Sequence, residues 1–172
     1  MTGLPQPTEY AEYYADYINR VPEEDIIEAL SMQLVETLAV LRRIPEEKTT
    51  EHPDGKWSVR ENIGHLCDVE RVFAYRAFRF SMNDTKELAG FEQDDYVREG
   101  HANERTVDDL LDEFALLRRS TIAKFRNITP EIGQRKGIAN GKTMSVRALL
   151  YAAVGHERRH VEILSQRYGV FS

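Results

Sequence analysis

The chain has 172 residues, with 23 Lys plus Arg against 29 Asp plus Glu and a formal net charge of −6. Non-specific nucleic-acid affinity comes from clustered cations, so this balance argues against a phosphate-backbone binder and for small-molecule or protein partners. The lone cysteine, Cys67, excludes an intramolecular disulfide, and no apolar run approaches the roughly 18 residues of a membrane span.

The opening MTGLPQPTEYAEYY lacks the basic and apolar regions of a secretion signal, so a cytoplasmic protein is expected, folded as one domain over residues 1–172. Within residues 1–20, Tyr10, Tyr13, Tyr14 and Tyr17 predict a short helical segment packed on the rest. A first long helix is predicted from Pro22, with apolar positions at Ile26, Ile27, Leu30, Leu34, Leu38 and Leu41 before Pro45 ends it. Residues 45–57 read as loop.

Ser58-Val-Arg-Glu61 is a capping box that opens a second helix with the stripe Val59, Ile63, Leu66, Val69, Phe73, Ala77 and Phe80. The stretch from Ser81 to Arg105 has no clear periodicity, is acidic, and carries Phe91, Asp94, Asp95, Tyr96 and His101. Connections of that length divide between lids over a site and solvated linkers, and both readings stand.

A third helix is capped by Thr106 and runs through Val107, Leu110, Leu111, Phe114, Leu117, Ile122 and Phe125 before Pro130. Asn140-Gly141 predicts a tight turn between two short extended segments. The fourth helix is capped by Ser145, with Met144 and Leu149 as a hydrophobic staple, and continues through Leu164 to Gly169. The fold class is therefore all-α, a four-helix bundle with a long connection between its second and third helices.

The last helix contains His156-Glu157-Arg158-Arg159-His160, a literal H-E-x-x-H. On a wheel of about 100° per residue, Val146, Leu149, Leu150, Ala153, Val161 and Leu164 define the core face. His156, Glu157 and His160 point toward it, while Arg158, Arg159, Glu162 and Gln166 face away. Histidines four apart stand one above the other and can share an ion. His65, two turns beyond the Ser58 cap, is the best third ligand, whereas His52 and His101 sit in loops and are expected to be exposed. Three imidazoles buried together would otherwise need three separate hydrogen-bond partners.

A zinc protease needs a third ligand downstream, and the residues after His160 include no histidine and no H-x-x-G-x-x-H extension. A ferritin-like dimetal centre needs Glu-x-x-His on two helices, and only Glu157-x-x-His160 fits.

Four pieces instead carry a family resemblance: EYYADYINRVPEEDI, GKWSVRENIGHLCDVE, the acidic connection, and MSVRALLYAAVGHERRHVEIL, in that order over most of residues 9–168. The chain resembles the DinB-like metalloproteins, close to their thiol S-transferases and metal-dependent hydrolases. That resemblance implies a four-helix bundle of unusual connection that binds one divalent metal through His65, His156 and His160. It also implies open positions for water or substrate and a homodimer, and it does not imply DNA binding.

Neutral nitrogen ligands leave an ion's charge uncompensated, which favours activation of a water or a low-molecular-weight thiol; imidazole suits zinc, nickel, copper and iron alike, and of these zinc and nickel are expected first. Glu157 is a candidate general base; the plainer reading is a buried ion pair with an arginine, such as Arg71 or Arg76 on the second helix. The competing class is a non-catalytic metal- or small-molecule-binding bundle.

Overall fold

A computed structural model describes residues 3–169. The chain opens with 3-10 turns at Pro7–Glu9 and Glu12–Tyr14 and a short helix, α1 (Ala15–Ile18). There follow α2 (Ile26–Leu41), α3 (Val59–Ser81), α4 (Gln93–Glu99), α5 (Val107–Phe125) and α6 (Pro130–Gly133). A hairpin, β1 (Lys136–Ala139) and β2 (Lys142–Ser145), leads into α7 (Val146–Tyr168). Among the described residues no helix is long and apolar enough to cross a membrane.

The helix starts are set by side-chain acceptors. Ser58 Oγ accepts from the Glu61 amide at 3.1 Å while the Glu61 carboxylate accepts from the Ser58 amide at 2.8 Å, so both halves of the expected box form. Thr106 and Ser145 cap α5 and α7 through the Asp109 and Ala148 amides. The first long helix begins at Ile26, not Pro22, because the Asp25 carboxylate accepts from the Ile27 and Glu28 amides. An acceptor satisfies orphan donors that a proline ring leaves bare. Pro130 does not simply end α5; capped by Thr129, it opens the single turn of α6. The predicted tight turn is present, with Asn140 at φ 50° and Gly141 at φ 68°, the left-handed pair that a two-residue hairpin favours.

Apolar packing holds the bundle together in a small cluster that includes Leu34, Leu66 and Phe114 and in two larger layers. One layer gathers Leu30, Phe73, Phe80, Phe125 and Leu150; the other gathers Leu41, Ile63, Leu111 and Leu164. The partners in each layer require α2 and α7 to run one way and α3 and α5 the other. Helix α3 packs against α5 and α7, and α2 packs against the same two. Because α3 and α5 are parallel, the chain between them must return along the bundle, a span of about 34 Å for a helix of that length at about 1.5 Å per residue.

This requirement explains the long connection, which is neither structureless nor a solvated linker. It contains α4, packed on α3, it buries Leu88, Val97 and Ala102, and Leu88 forms an isolated parallel bridge to Ala139. Its path crosses the middle of the bundle, where the polar residues lie.

Candidate metal centre

His65 on α3 faces His156 and His160 on the neighbouring α7. Each of the three offers a ring nitrogen within 4.8 Å of the others. His65 Nε2 and His156 Nε2 are 3.1 Å apart, and the His156 and His160 ring centroids are separated by 4.4 Å, one turn of helix apart. Imidazole nitrogens bound at about 2.0 to 2.1 Å to one ion stand roughly 2.9 Å apart at a right angle and roughly 3.4 Å apart at the tetrahedral angle. The His65–His156 spacing falls between these limits. His52 and His101, as expected from their loops, are exposed.

The polar atoms of this cluster are mostly unanswered by protein. Asn62 is the exception: its Nδ2 donates to the Ser58 carbonyl at 2.7 Å and the Trp57 carbonyl at 3.2 Å. That fixes its Oδ1 as an acceptor, 3.0 Å from His160 Nδ1, so His160 carries its proton there and keeps the Nε2 lone pair for the cluster. His65 Nδ1 and His156 Nδ1 are buried without a hydrogen-bond partner in the protein.

Burial, reinforced by the neighbouring His160, lowers His65 to a pKa of about 3. Burial and the neighbouring Arg159 lower His160 to about 4, and burial holds His156 well below its ordinary value. All three are neutral at pH 7 and able to donate lone pairs. The donor set and the close approach of its Nε2 atoms fit a divalent cation. Cys67 is not a ligand: it is buried, its thiol is pushed up to about 12, chiefly by burial, and its Sγ faces the Leu110 carbonyl at 3.6 Å.

Three clefts reach the histidines: a small one of about 130 Å³, bordered by His65, Gly64 and Tyr96, and two larger ones. The larger of those two, about 340 Å³, is bordered by His65 and His156, and its walls include Tyr14, Tyr17, Phe73, Arg76 and Phe91. The other, about 290 Å³, is bordered by His160, Asn62, Trp57 and Arg167. Asp94 on α4 borders both of these, so the connection roofs the cluster as well as closing the topology.

Tyr17 is brought over His156, with centroids 5.4 Å apart, by close approach of α1 to α7 at Gly155, where a Cβ would collide with the Tyr17 carbonyl. The N-terminal tyrosines thus pack on the bundle as expected and also form cleft wall, which their spacing alone does not reveal. Trp57 was missed as well; it lies against His65 at 4.8 Å and parallel to His160 at 6.4 Å.

The model of the DinB superfamily matches residues 29–164. The chain belongs to the DinB superfamily. Among solved structures it is similar to YfiT from Bacillus subtilis, described as a probable metal-dependent hydrolase with an unusual four-helix bundle topology. The two are 18% identical, with a TM-score of 0.68 over 98% of this chain and 94% of that one, which establishes the shared fold. No match was found among curated proteins.

In this DinB chain the glutamate of H-E-x-x-H belongs to a different cluster. Glu157 Oε1 accepts from Thr37 Oγ1 at 2.6 Å and its Oε2 lies 2.8 Å from Arg118 Nη2. Arg118 also pairs with Glu70 at 3.0 Å, and Thr121 donates to Glu70 at 2.6 Å, so α2, α3, α5 and α7 all contribute. The ion-pair reading of Glu157 has the wrong partner in sequence. Arg71 pairs with Glu113 and Arg76 faces the larger cleft; the true partner lies on α5, which the helical wheel of α7 alone does not identify. Burial holds Glu157 above the usual carboxylate range, against the pull of Arg118 and Thr37. None of the three clefts that reach the histidines is bordered by Glu157.

Proposed function

We propose that this protein is a metal-dependent enzyme in which His65, His156 and His160 hold one divalent ion, with zinc or nickel the first candidates among the metals imidazole suits, and that it activates a thiol or a water. The observation that carries this reading is the convergence of three neutral imidazoles at the floor of open clefts. The related fold described as a probable metal-dependent hydrolase supports it. Bound there, the ion supplies Lewis acidity that favours deprotonation of a water or thiol.

The chain's own residues do the rest. Asn62 holds the His160 tautomer, and Trp57 shields His65 and His160 from bulk water. Tyr14, Tyr17 and Phe91 form an apolar wall for a small substrate. The Glu157–Arg118 pair anchors α7, and with it both of that helix's histidines. A structural metal site is usually closed, so the open clefts favour an enzyme over a bundle that binds metal only for stability.

Several approaches to one cluster leave room for a second substrate, and with the resemblance to thiol S-transferases this favours thiol S-transfer over hydrolysis. The test is a cobalt-substituted sample titrated with azide, followed by turnover assays of a thiol with 1-chloro-2,4-dinitrobenzene and of 4-nitrophenyl acetate. A changed cobalt spectrum and metal-dependent thiol conjugation are expected. A protein that takes up no ion, or a spectrum indifferent to azide, would overturn the enzyme reading; metal-dependent ester cleavage alone would return it to hydrolysis.

A further inference from the structure

Three arginines are buried among the described residues: Arg76, Arg118 and Arg147. Two are neutralised within the fold, Arg118 by Glu70 and Glu157, and Arg147 by Glu9. Arg76 is not. It is only 4% exposed, its Nη2 donates to the Ala89 carbonyl at 3.0 Å, and among the described residues no carboxylate lies within ion-pair distance of it. The Tyr14 hydroxyl is the other polar group on it. A guanidinium carries five N–H donors, and a buried cation without a counter-charge is costly to a fold.

Arg76 borders the larger cleft, and so does His65, eleven residues earlier on α3. Eleven residues make just over three turns, which returns to the same helix face about 16 Å further along. Val69 and Phe73 occupy the intervening turns of that face and also line the cleft. One side of α3 therefore presents, in order, a candidate metal ligand, two apolar side chains and an unneutralised guanidinium.

Resting on the proposed metal site, we infer that the larger cleft takes an elongated small molecule whose reacting group lies at the histidines and whose far end carries a carboxylate that Arg76 reads. The apolar middle of such a molecule rests on Val69 and Phe73. Lys142, at the cleft and 5.1 Å from the Tyr13 ring, adds a second positive charge. Glu92 and Asp94 also border the cleft, but both are exposed positions at the start of α4 and neither pairs with Arg76. Water screens charges at the rim far more than a buried guanidinium.

Arg76 also ties the connection to α3 through Ala89, so its loss could act through structure alone. The test separates the two roles by comparing an acid with its neutral amide. 6-Mercaptohexanoate and 6-mercaptohexanamide are titrated into cobalt-loaded and metal-free protein, for the wild type and Arg76→Gln, by absorption and calorimetry, with melting curves to confirm folding. Wild type is expected to bind the acid at least about tenfold more tightly than the amide, in keeping with a charge-assisted hydrogen bond. In Arg76→Gln the preference should shrink to within about twofold, with amide binding unchanged. Equal weakening of both probes by the variant, or no preference in wild type, would overturn the proposal. If neither sulfur perturbs cobalt, the metal reading fails, while the acid-to-amide ratio in metal-free protein still decides the role of Arg76.

Discussion

His156 and Glu157 are consecutive on α7, yet they serve clusters whose polar atoms are satisfied in opposite ways. Glu157 enters a network with Arg118, Glu70 and Thr37 that draws on four helices, and it borders none of the clefts to the histidines. His156 enters a group of three imidazoles whose side-chain hydrogen-bond partner from outside the group, among the described residues, is Asn62, and which several clefts approach. The first cluster pairs its charges within the protein, although Arg118 Nε has no hydrogen-bond partner, and acts as a clamp on the bundle. The second presents lone pairs to something the chain does not supply. A rotation of about 100° between adjacent helical residues is enough to divide one five-residue pattern between structure and chemistry.

The widest break in this comparison should come from the histidines. His65→Ala and His160→Ala are each expected to drop zinc or nickel content from near one ion per chain to under about a tenth, since two remaining ligands make a weak site. Elemental mass spectrometry on the variants, with circular dichroism to confirm helicity, checks this. The complementary break is Glu157→Ala, which strands Arg118 in the core. It is expected to destabilise the fold by about 3 to 5 kcal/mol in urea unfolding, while folded protein still takes up metal. Loss of metal with unchanged stability would assign Glu157 to the histidine cluster instead.

Asn62→Ala sharpens the boundary between the clusters. Removal of the group that orients His160 Nδ1 should weaken metal affinity by about 10- to 100-fold in chelator competition, with all three ligands retained. The smallest effect is in pH. His65 and His160 have folded pKa values of about 3 and about 4, below the ordinary 6.5, so the unfolded chain binds more protons in between. Metal-free stability should therefore fall as pH drops below 6.5, by roughly 1 kcal/mol per buried histidine per pH unit. His65→Ala should flatten that slope in metal-free thermal melts, and a slope unchanged by the substitution would show that His65 titrates freely.

Much of this was legible in the sequence because it rests on local chemistry. Ser58, Thr106 and Ser145 mark helix starts through their own hydroxyls, and the four-residue spacing of His156 and His160 requires a shared face. Asn140-Gly141 gives the hairpin for the same local reason. What was hidden depends on which helices become neighbours. Arg118 and Glu70 both fall on apolar stripes, four residues from Phe114 and Leu66, and a charge there signals a partner without naming it. The roof formed by α4 was hidden because that helix is short and buries only Val97. Tyr17 and Trp57 come from outside the long helices, so no periodicity leads from them to the histidines.

The most direct measurement is X-ray absorption on zinc-reconstituted wild-type protein. Three imidazole nitrogens at about 2.0 to 2.1 Å with one or two further light-atom ligands are predicted, as expected for an open three-histidine site. A shell containing sulfur, a shell dominated by carboxylate oxygen, or a protein that binds no zinc would contradict the assignment of His65, His156 and His160.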